Sequence, residues 1–265
     1  MKKTAWIGVG NMGGALLEAA AKTLRGEDIF LADQNTARVE ALTAALGCTA
    51  GSAADAAKAA EYLVIGVKPQ AAAGLFEEIR PVLEARRNDP PILVTMMAGR
   101  TMETVRGLAG YAIPVIRIMP NVAASVGAAM ILCDSVGVSE ENKAEFESFM
   151  KEAGRLDWLP EALIDAGASV SGCGPAYVCL FAEALADGAV KCGVPRKKAL
   201  EYAIQTLYGT AKLLAESGRH PAVVKDEVTS PAGTTIEGIE ALEENGFRYA
   251  VMQAVVRSFE KNRKL

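Results

Sequence analysis

The segment WIGVGNMGGALLEAA, Trp6–Ala20, decides the fold. Its glycines Gly8, Gly10 and Gly13 stand in the order G-x-G-x-x-G. That pattern is weak by itself, because a glycine turn needs no ligand. Here it follows a short apolar run and opens an alanine- and leucine-rich stretch, the strand–turn–helix context of a dinucleotide site. Gly8 permits the tight turn, Gly10 lets backbone approach a pyrophosphate, and Gly13 lets the helix pack closely on the strand. Free amides at the start of that helix favour an anion. Gly8, Gly10, Asn11, Met12 and Gly13 are therefore candidate cofactor-binding residues.

Outward from this motif, short apolar runs alternate with amphipathic stretches up to about residue 160. Strands are expected at Ala5–Val9, Ile29–Ala32, Tyr62–Gly66, Ile92–Met96, Val115–Met119, Ala129–Cys133 and, more briefly, Leu156–Leu159. Helical patterns fall near 12–24, 36–46, 53–60, 70–86, 101–109 and 140–153. This alternation implies an α/β Rossmann domain, a mostly parallel sheet with helices on both faces. Ligands of such sheets lie beyond the carboxyl ends of the strands. The run IGVKPQ therefore offers Val67, Lys68 and Pro69 to the nicotinamide side, and MMAGRT offers Ala98 and Gly99.

Ribose selectivity reads two ways. Asp33, twenty residues past Gly13, ends the second strand. An acid there bonds a ribose 2'-hydroxyl and repels a 2'-phosphate. Yet Asn35, Thr36 and Arg38 follow at once, and they could hold that phosphate if Asp33 turns away.

After about Pro160 the strands stop and an all-α segment begins, which divides the chain into 1–160 and 161–265. The helix GPAYVCLFAEALADGAVK has Pro175 near its start, Gly193 after its end, and one polar stripe of Glu183, Asp187 and Lys191. A helix wet on so narrow a stripe is covered on most sides. Little material is left to cover it, so a partner subunit is expected, making the segment a dimerisation domain. Further helices are expected near 195–217, 221–227, 234–245 and 247–262.

Composition narrows the function classes. The 265 residues are 51% hydrophobic and 23% charged, with net charge −4, so no basic face advertises nucleic acid. The apolar run after Lys2 and Lys3 is too short, and too broken by glycine, for a signal peptide. No apolar stretch looks long enough for a membrane helix, and a cytoplasmic location is expected. Five scattered cysteines form no C-x-x-C pair, so no disulfide framework or metal site is expected. The single histidine, His220, excludes zinc held by several imidazoles and leaves little room for a Ser-His-Asp triad. Hydride transfer suits such a chain, because the cofactor carries the hard chemistry.

One loop interrupts the helices with more polar groups than a cap requires. VTSPAGTT, Val228–Thr235, offers the hydroxyls of Ser230 and Thr235 and the amides of Gly233, Thr234 and Thr235 at a helix start. Pro231 stiffens the turn, and Gly233 is expected to take unusual backbone angles.

Three longer segments, RIMPNVAASVGAAM (117–130), SGCGPAYVCLFAEALADGAVKCGVPR (171–196) and HPAVVKDEVTSPAGTTIEGIEALEENGFR (220–248), complete a pattern with the glycine motif and VKPQ. Over essentially the whole chain this closely resembles pyrroline-5-carboxylate reductase. The resemblance implies reduction of 1-pyrroline-5-carboxylate to L-proline with NADPH or NADH, the last step of proline biosynthesis. It implies a Rossmann domain, a helical domain that interlocks into homodimers, and often a decamer of five dimers. It also places the substrate carboxylate in TSPAGTT. The donors of that loop make Ser230, Gly233, Thr234 and Thr235 the candidate substrate-binding residues, and Thr235, which could orient a water or the imine nitrogen, the candidate catalytic residue. The sequence departs from the family pattern at Cys173 and Ala168, where serine and threonine are usual, and at Ala53, where asparagine often approaches a 2'-phosphate.

Two alternatives share part of this pattern. A β-hydroxyacid dehydrogenase shares the plan but carries a catalytic lysine on the first long helix of its second domain, where the only lysine here is Lys191, near the far end. A dinucleotide-sensing regulator would need the first domain's site but not the hydroxyls of the second.

Overall fold

The computed structural model describes residues 2–263. Residues 2–172 with 259–263 form one compact unit, and Cys173–Ser258 form a second.

The first unit begins β1 (Lys2–Ile7), α1 (Asn11–Ala20), β2 (Ile29–Ala32), α2 (Thr36–Leu46), β3 (Thr49–Ala50), α3 (Ala53–Ala59), β4 (Ala60–Ile65) and α4 (Ala72–Ala85). It continues β5 (Ile92–Thr95), α5 (Met102–Ala109), β6 (Val115–Met119), β7 (Ala129–Val136), α6 (Glu140–Met150), β8 (Gly154–Trp158) and α7 (Glu161–Ser171). The eight strands run β3-β2-β1-β4-β5-β6-β7-β8. All neighbours are parallel except β6 and β7.

Strand periodicity sorts the side chains into two cores. Trp6, Tyr62, Val64, Val94, Ile116 and Ile118 pack with Leu16 and Leu17 of α1 and Phe146 and Phe149 of α6. Ala5, Ile7, Leu63, Ile65, Leu93 and Val115 pack with Phe76 and Ile79 of α4 and Val105 of α5. Both faces of the central strands are thus buried, which is why they read as continuous apolar runs. Side chains start several helices: Asn35 accepts from the Arg38 amide, Ser52 and Asp55 form a capping box, Thr101 caps α5 and Ser139 caps α6.

Three differences from the sequence reading have physical causes. The two-residue β3 is exposed and too short to show a period. Strand β1 stops at Ile7, before the expected Val9, because Gly8 turns the chain at φ +90°. The third is α7, where the pattern near 155–170 predicts only a domain boundary. Its Glu161 and Asp165 pair with the buried Arg117 of β6 at 3.2 and 2.6 Å, and the Glu161 amide donates to Asp134 at 2.6 Å.

The second unit holds α8 (Gly174–Lys191), α9 (Arg196–Ser217), α10 (Pro221–Glu227), α11 (Thr234–Glu244) and α12 (Phe247–Asn262) as far as Ser258. Among the described residues its buried cluster is Ala186, Ala199 and Ala203, with Val224 buried apart from them. Leu180, Tyr208 and Tyr249 stay 67%, 61% and 66% exposed. The segment Glu161–Lys191 is also long and apolar enough, by length and composition alone, to cross a membrane. This corrects the expectation that no apolar stretch is long enough. Only Gly172 and Cys173 separate α7 from α8, so their apolar faces read as one run. The ion pairs at Glu161 and Asp165 bind the start of this run to the sheet.

Candidate active site

Register places the candidate nucleotide-binding loops together. Ile7 pairs with Ala32 on one side and with Ile65 on the other, and Ile65 pairs with Thr95. The carboxyl ends of β2, β1, β4 and β5 therefore lie level, and the loops beginning at Asp33, Gly8, Gly66 and Met96 are neighbours. β1 is where the strand order turns, with β2 to one side and β4 to the other. Ligands of open α/β sheets bind at such a switch point.

The turn after β1 is built around one backbone oxygen. A Cβ on either Gly13 or Gly66 would fall on the Gly8 carbonyl. A Cβ on Gly8 would come within 2.7 Å of the Gly66 backbone. Gly8, Gly13 and Gly66 are thus packing glycines. Gly10 differs: it is the N-cap of α1, no side chain caps the helix, and its missing Cβ faces open space. An uncapped helix start behind a bare backbone fits a diphosphate. Asn11 is exposed and Met12 partly buried at that end.

Asp33 turns inward. One oxygen accepts from the Val9 amide at 2.7 Å and the other from the Asn35 amide at 2.8 Å. The carboxylate thus ties β2 to the glycine loop. Asn35 accepts from the Arg38 amide at 3.1 Å, and Arg38 donates through Nε to the Val9 carbonyl. Lys68 is exposed, with Val67 and Pro69 partly buried beside it. Ala98 is exposed and Gly99 takes φ +69°.

The second candidate region lies within the helical unit. α11 starts at Gly233, without a side-chain cap. The Gly233 amide donates to the Ser230 carbonyl at 3.0 Å. Thr229 donates its hydroxyl to the Lys225 carbonyl at 2.7 Å, whereas Ser230, Thr234 and Thr235 are exposed. The expected backbone exception shifts by one residue. Gly233 is extended at φ −82°, and Ala232 holds the left-handed conformation at φ +56°. Gly233 is needed for closeness instead, because its Cβ would fall on the Ser230 hydroxyl. The lone histidine is spent on structure: His220 Nδ1 accepts from the Ala222 amide at 3.2 Å and caps α10.

The G-x-G-x-x-G spacing does not single out Gly14 or Gly66. Gly66 lies in the quoted IGVKPQ, and its signal is a glycine at the end of the neighbouring strand. Gly14 is only the second of a pair in sequence, and its role emerges from what lies against it.

Comparisons with known proteins agree with this geometry. Residues 161–265 match the model for pyrroline-5-carboxylate reductase dimerisation, and residues 3–99 match NADP oxidoreductase, coenzyme F420-dependent. The chain is 37% identical to the pyrroline-5-carboxylate reductase of Escherichia coli K12, with 100% of this chain and 98% of that one covered. It is 38% identical to the Synechocystis enzyme of the same name, over 98% of this chain and 96% of that one. The crystal structure of Plasmodium falciparum pyrroline carboxylate reductase with NADP bound superposes with a TM-score of 0.85 at 28% identity, covering 99% of this chain and 97% of that chain.

Proposed function

The chain belongs to the pyrroline-5-carboxylate reductase family, and from that premise we propose which of its residues carry the reaction. The enzyme reduces 1-pyrroline-5-carboxylate to L-proline with NAD(P)H, completing proline biosynthesis. The observation that carries our assignment is a pair of glycine-started, uncapped helices, α1 at Gly10 and α11 at Gly233. Each presents free amides, and the reaction brings two anions, a cofactor diphosphate and a substrate carboxylate.

Gly8, Gly10, Asn11, Met12 and Gly13 hold the diphosphate in this reading. Asn35 and Arg38 take the ribose end, and Val67, Lys68, Pro69, Ala98 and Gly99 line the nicotinamide side. NADPH is the preferred form, with NADH also accepted. The nicotinamide supplies a hydride when bound. Ser230, Gly233, Thr234 and Thr235 hold the substrate carboxylate with hydroxyls and amides, donors that bring no competing charge. A protonated cyclic imine is already electrophilic, so orientation and electrostatics carry most of the catalysis. With His220 engaged in a cap, the Thr235 hydroxyl orients the water or the imine nitrogen during protonation.

A homodimer forms through the 161–265 helices, while residues 1–160 serve the cofactor. The sparse alanine core of the second unit supports this, since each large side chain that a partner covers contributes about 1.5–3 kcal/mol. The family resemblance extends the reading to a decamer of five dimers and to a cytoplasmic metabolic enzyme. Lys191 is the last residue of α8, which counts against hydroxyacid dehydrogenase chemistry at its start. The test is turnover: purified protein should consume NADPH only when 1-pyrroline-5-carboxylate is added, one cofactor per proline formed. Cofactor binding without turnover would favour a sensor.

A further inference from the structure

Gly14 is buried on the first turn of α1, where a Cβ would fall on Nη2 of Arg38. The severe clash is with the far end of a flexible side chain, while the Val9 carbonyl would lie 3.2 Å from that Cβ, so alanine at 14 would displace Arg38 first and shift the turn by at most a few tenths of an ångström. The Arg38 guanidinium lies beside Gly14 of α1, its Nε bound to the Val9 carbonyl. Asp33, the acid that follows β2, has one oxygen on the Val9 amide and the other on the Asn35 amide. Among the described residues Arg38 makes no ion pair, so a partly buried guanidinium without a carboxylate partner stands on the first turn of α2, just beyond the end of β2. That end of a dinucleotide fold governs the ribose 2'-position, and a guanidinium matches phosphate geometry.

We propose that Gly14 is a specificity-determining residue: the space left by its missing side chain seats Arg38 to receive the 2'-phosphate of NADPH. Asp33 assists by spending its oxygens on backbone amides, which turns its charge away from that phosphate. The inference rests on the cofactor reading of the β1–α1 turn. Gly14 touches no ligand itself and acts through Arg38.

The test measures dissociation constants by calorimetry for 2',5'-ADP and 5'-ADP, and by fluorescence titration for NADPH and NADH. Wild type, Gly14→Ala, Arg38→Ala and the double variant are compared, with melting curves as folding controls. Gly14→Ala should weaken 2',5'-ADP and NADPH by about ten- to a hundredfold relative to 5'-ADP and NADH, the range of a lost hydrogen bond to a charged group. In the Arg38→Ala background, Gly14→Ala should have no further effect on that ratio. An unchanged ratio in Gly14→Ala would overturn the proposal. So would equal weakening of all four ligands, or an undiminished effect of Gly14→Ala when Arg38 is absent. Binding needs no substrate, so turnover of 1-pyrroline-5-carboxylate with NADH on the same proteins tests the reductase reading separately.

Discussion

The missing Cβ of Gly233 leaves room for the Ser230 hydroxyl, and the Gly233 amide donates to the Ser230 carbonyl at 3.0 Å. Two residues three apart thus hold a hydroxyl and a helix start close together. A methyl group on Gly233 would push the Ser230 side chain aside, and Gly233 has ordinary extended angles that alanine can adopt. Gly233→Ala should therefore raise KM for 1-pyrroline-5-carboxylate by about tenfold, with a stability change under about 1 kcal/mol. Steady-state kinetics beside thermal melting checks this. An unchanged KM would separate Ser230 from substrate binding.

At Gly8 the constraint is backbone against backbone. Its φ of +90° and the 2.7 Å approach of a Cβ to Gly66 leave no rotamer to adjust. Gly8→Ala should cost about 2–4 kcal/mol of stability and weaken NADPH and NADH alike. Denaturant unfolding with cofactor titration measures both effects. A wild-type melting point would show that the turn is softer than its packing implies.

How much of this was legible in the sequence depends on the range of the cause. The β1–turn–α1 unit was legible because Gly8, Gly10 and Gly13 act within one loop. Central strands such as Ile92–Thr95 were legible because burial on both faces makes them nearly continuous apolar runs, here Ile-Leu-Val before Thr95. β3 escaped because two exposed residues carry no pattern. Helix α7 escaped because its fixing partner, Arg117, is distant in sequence. Asp33 illustrates the same limit. Its place after β2 was readable, but its bond to the Val9 amide, which decides where the charge points, is tertiary. In VTSPAGTT the composition suggested a ligand, yet the left-handed residue is Ala232 and not its glycine neighbour.

The exposed apolar helices predict an obligate assembly. Leu185 of α8 is 40% exposed within one chain, on the surface assigned to the partner. Leu185→Glu would bury an unpaired carboxylate in the dimer, at a cost of several kcal/mol. Sedimentation should show a dimer or larger assembly for wild type, and dissociated or aggregated protein for the variant. A variant that keeps the wild-type assembly and melting point would place Leu185 outside the interface.

Tyr62 links the sheet to α6, its hydroxyl 2.9 Å from both the Asn142 carbonyl and a Glu145 carboxylate oxygen, which share its single proton. Burial first, and then the Glu145 carboxylate, hold its phenol above the ordinary value of 10.0. A raised folded value means that its contribution is complete below the unfolded value and is lost as pH climbs above about 10. Tyr62→Phe should be less stable than wild type near neutrality by about 1 kcal/mol. The gap should narrow as pH rises above about 10. Denaturant midpoints across that range provide the check, and parallel curves would contradict the assignment.

The central assignment is that the start of α11 binds the substrate carboxylate, and Thr235 tests it most directly. Turnover and melting should be measured on Thr235→Ala and Thr235→Val together. A lost hydrogen bond to a charged group is worth about 1.5–3 kcal/mol, so kcat/KM should fall by about ten- to a hundredfold in both. Valine keeps the shape, which separates loss of the hydroxyl from loss of volume. A fall in kcat itself would assign Thr235 to protonation as well as anchoring. No side chain caps α11 in the structure, so both variants should melt close to wild type. A melting point lowered by the equivalent of about 1 kcal/mol, with normal kinetics, is the result of a mere helix cap and would contradict the account.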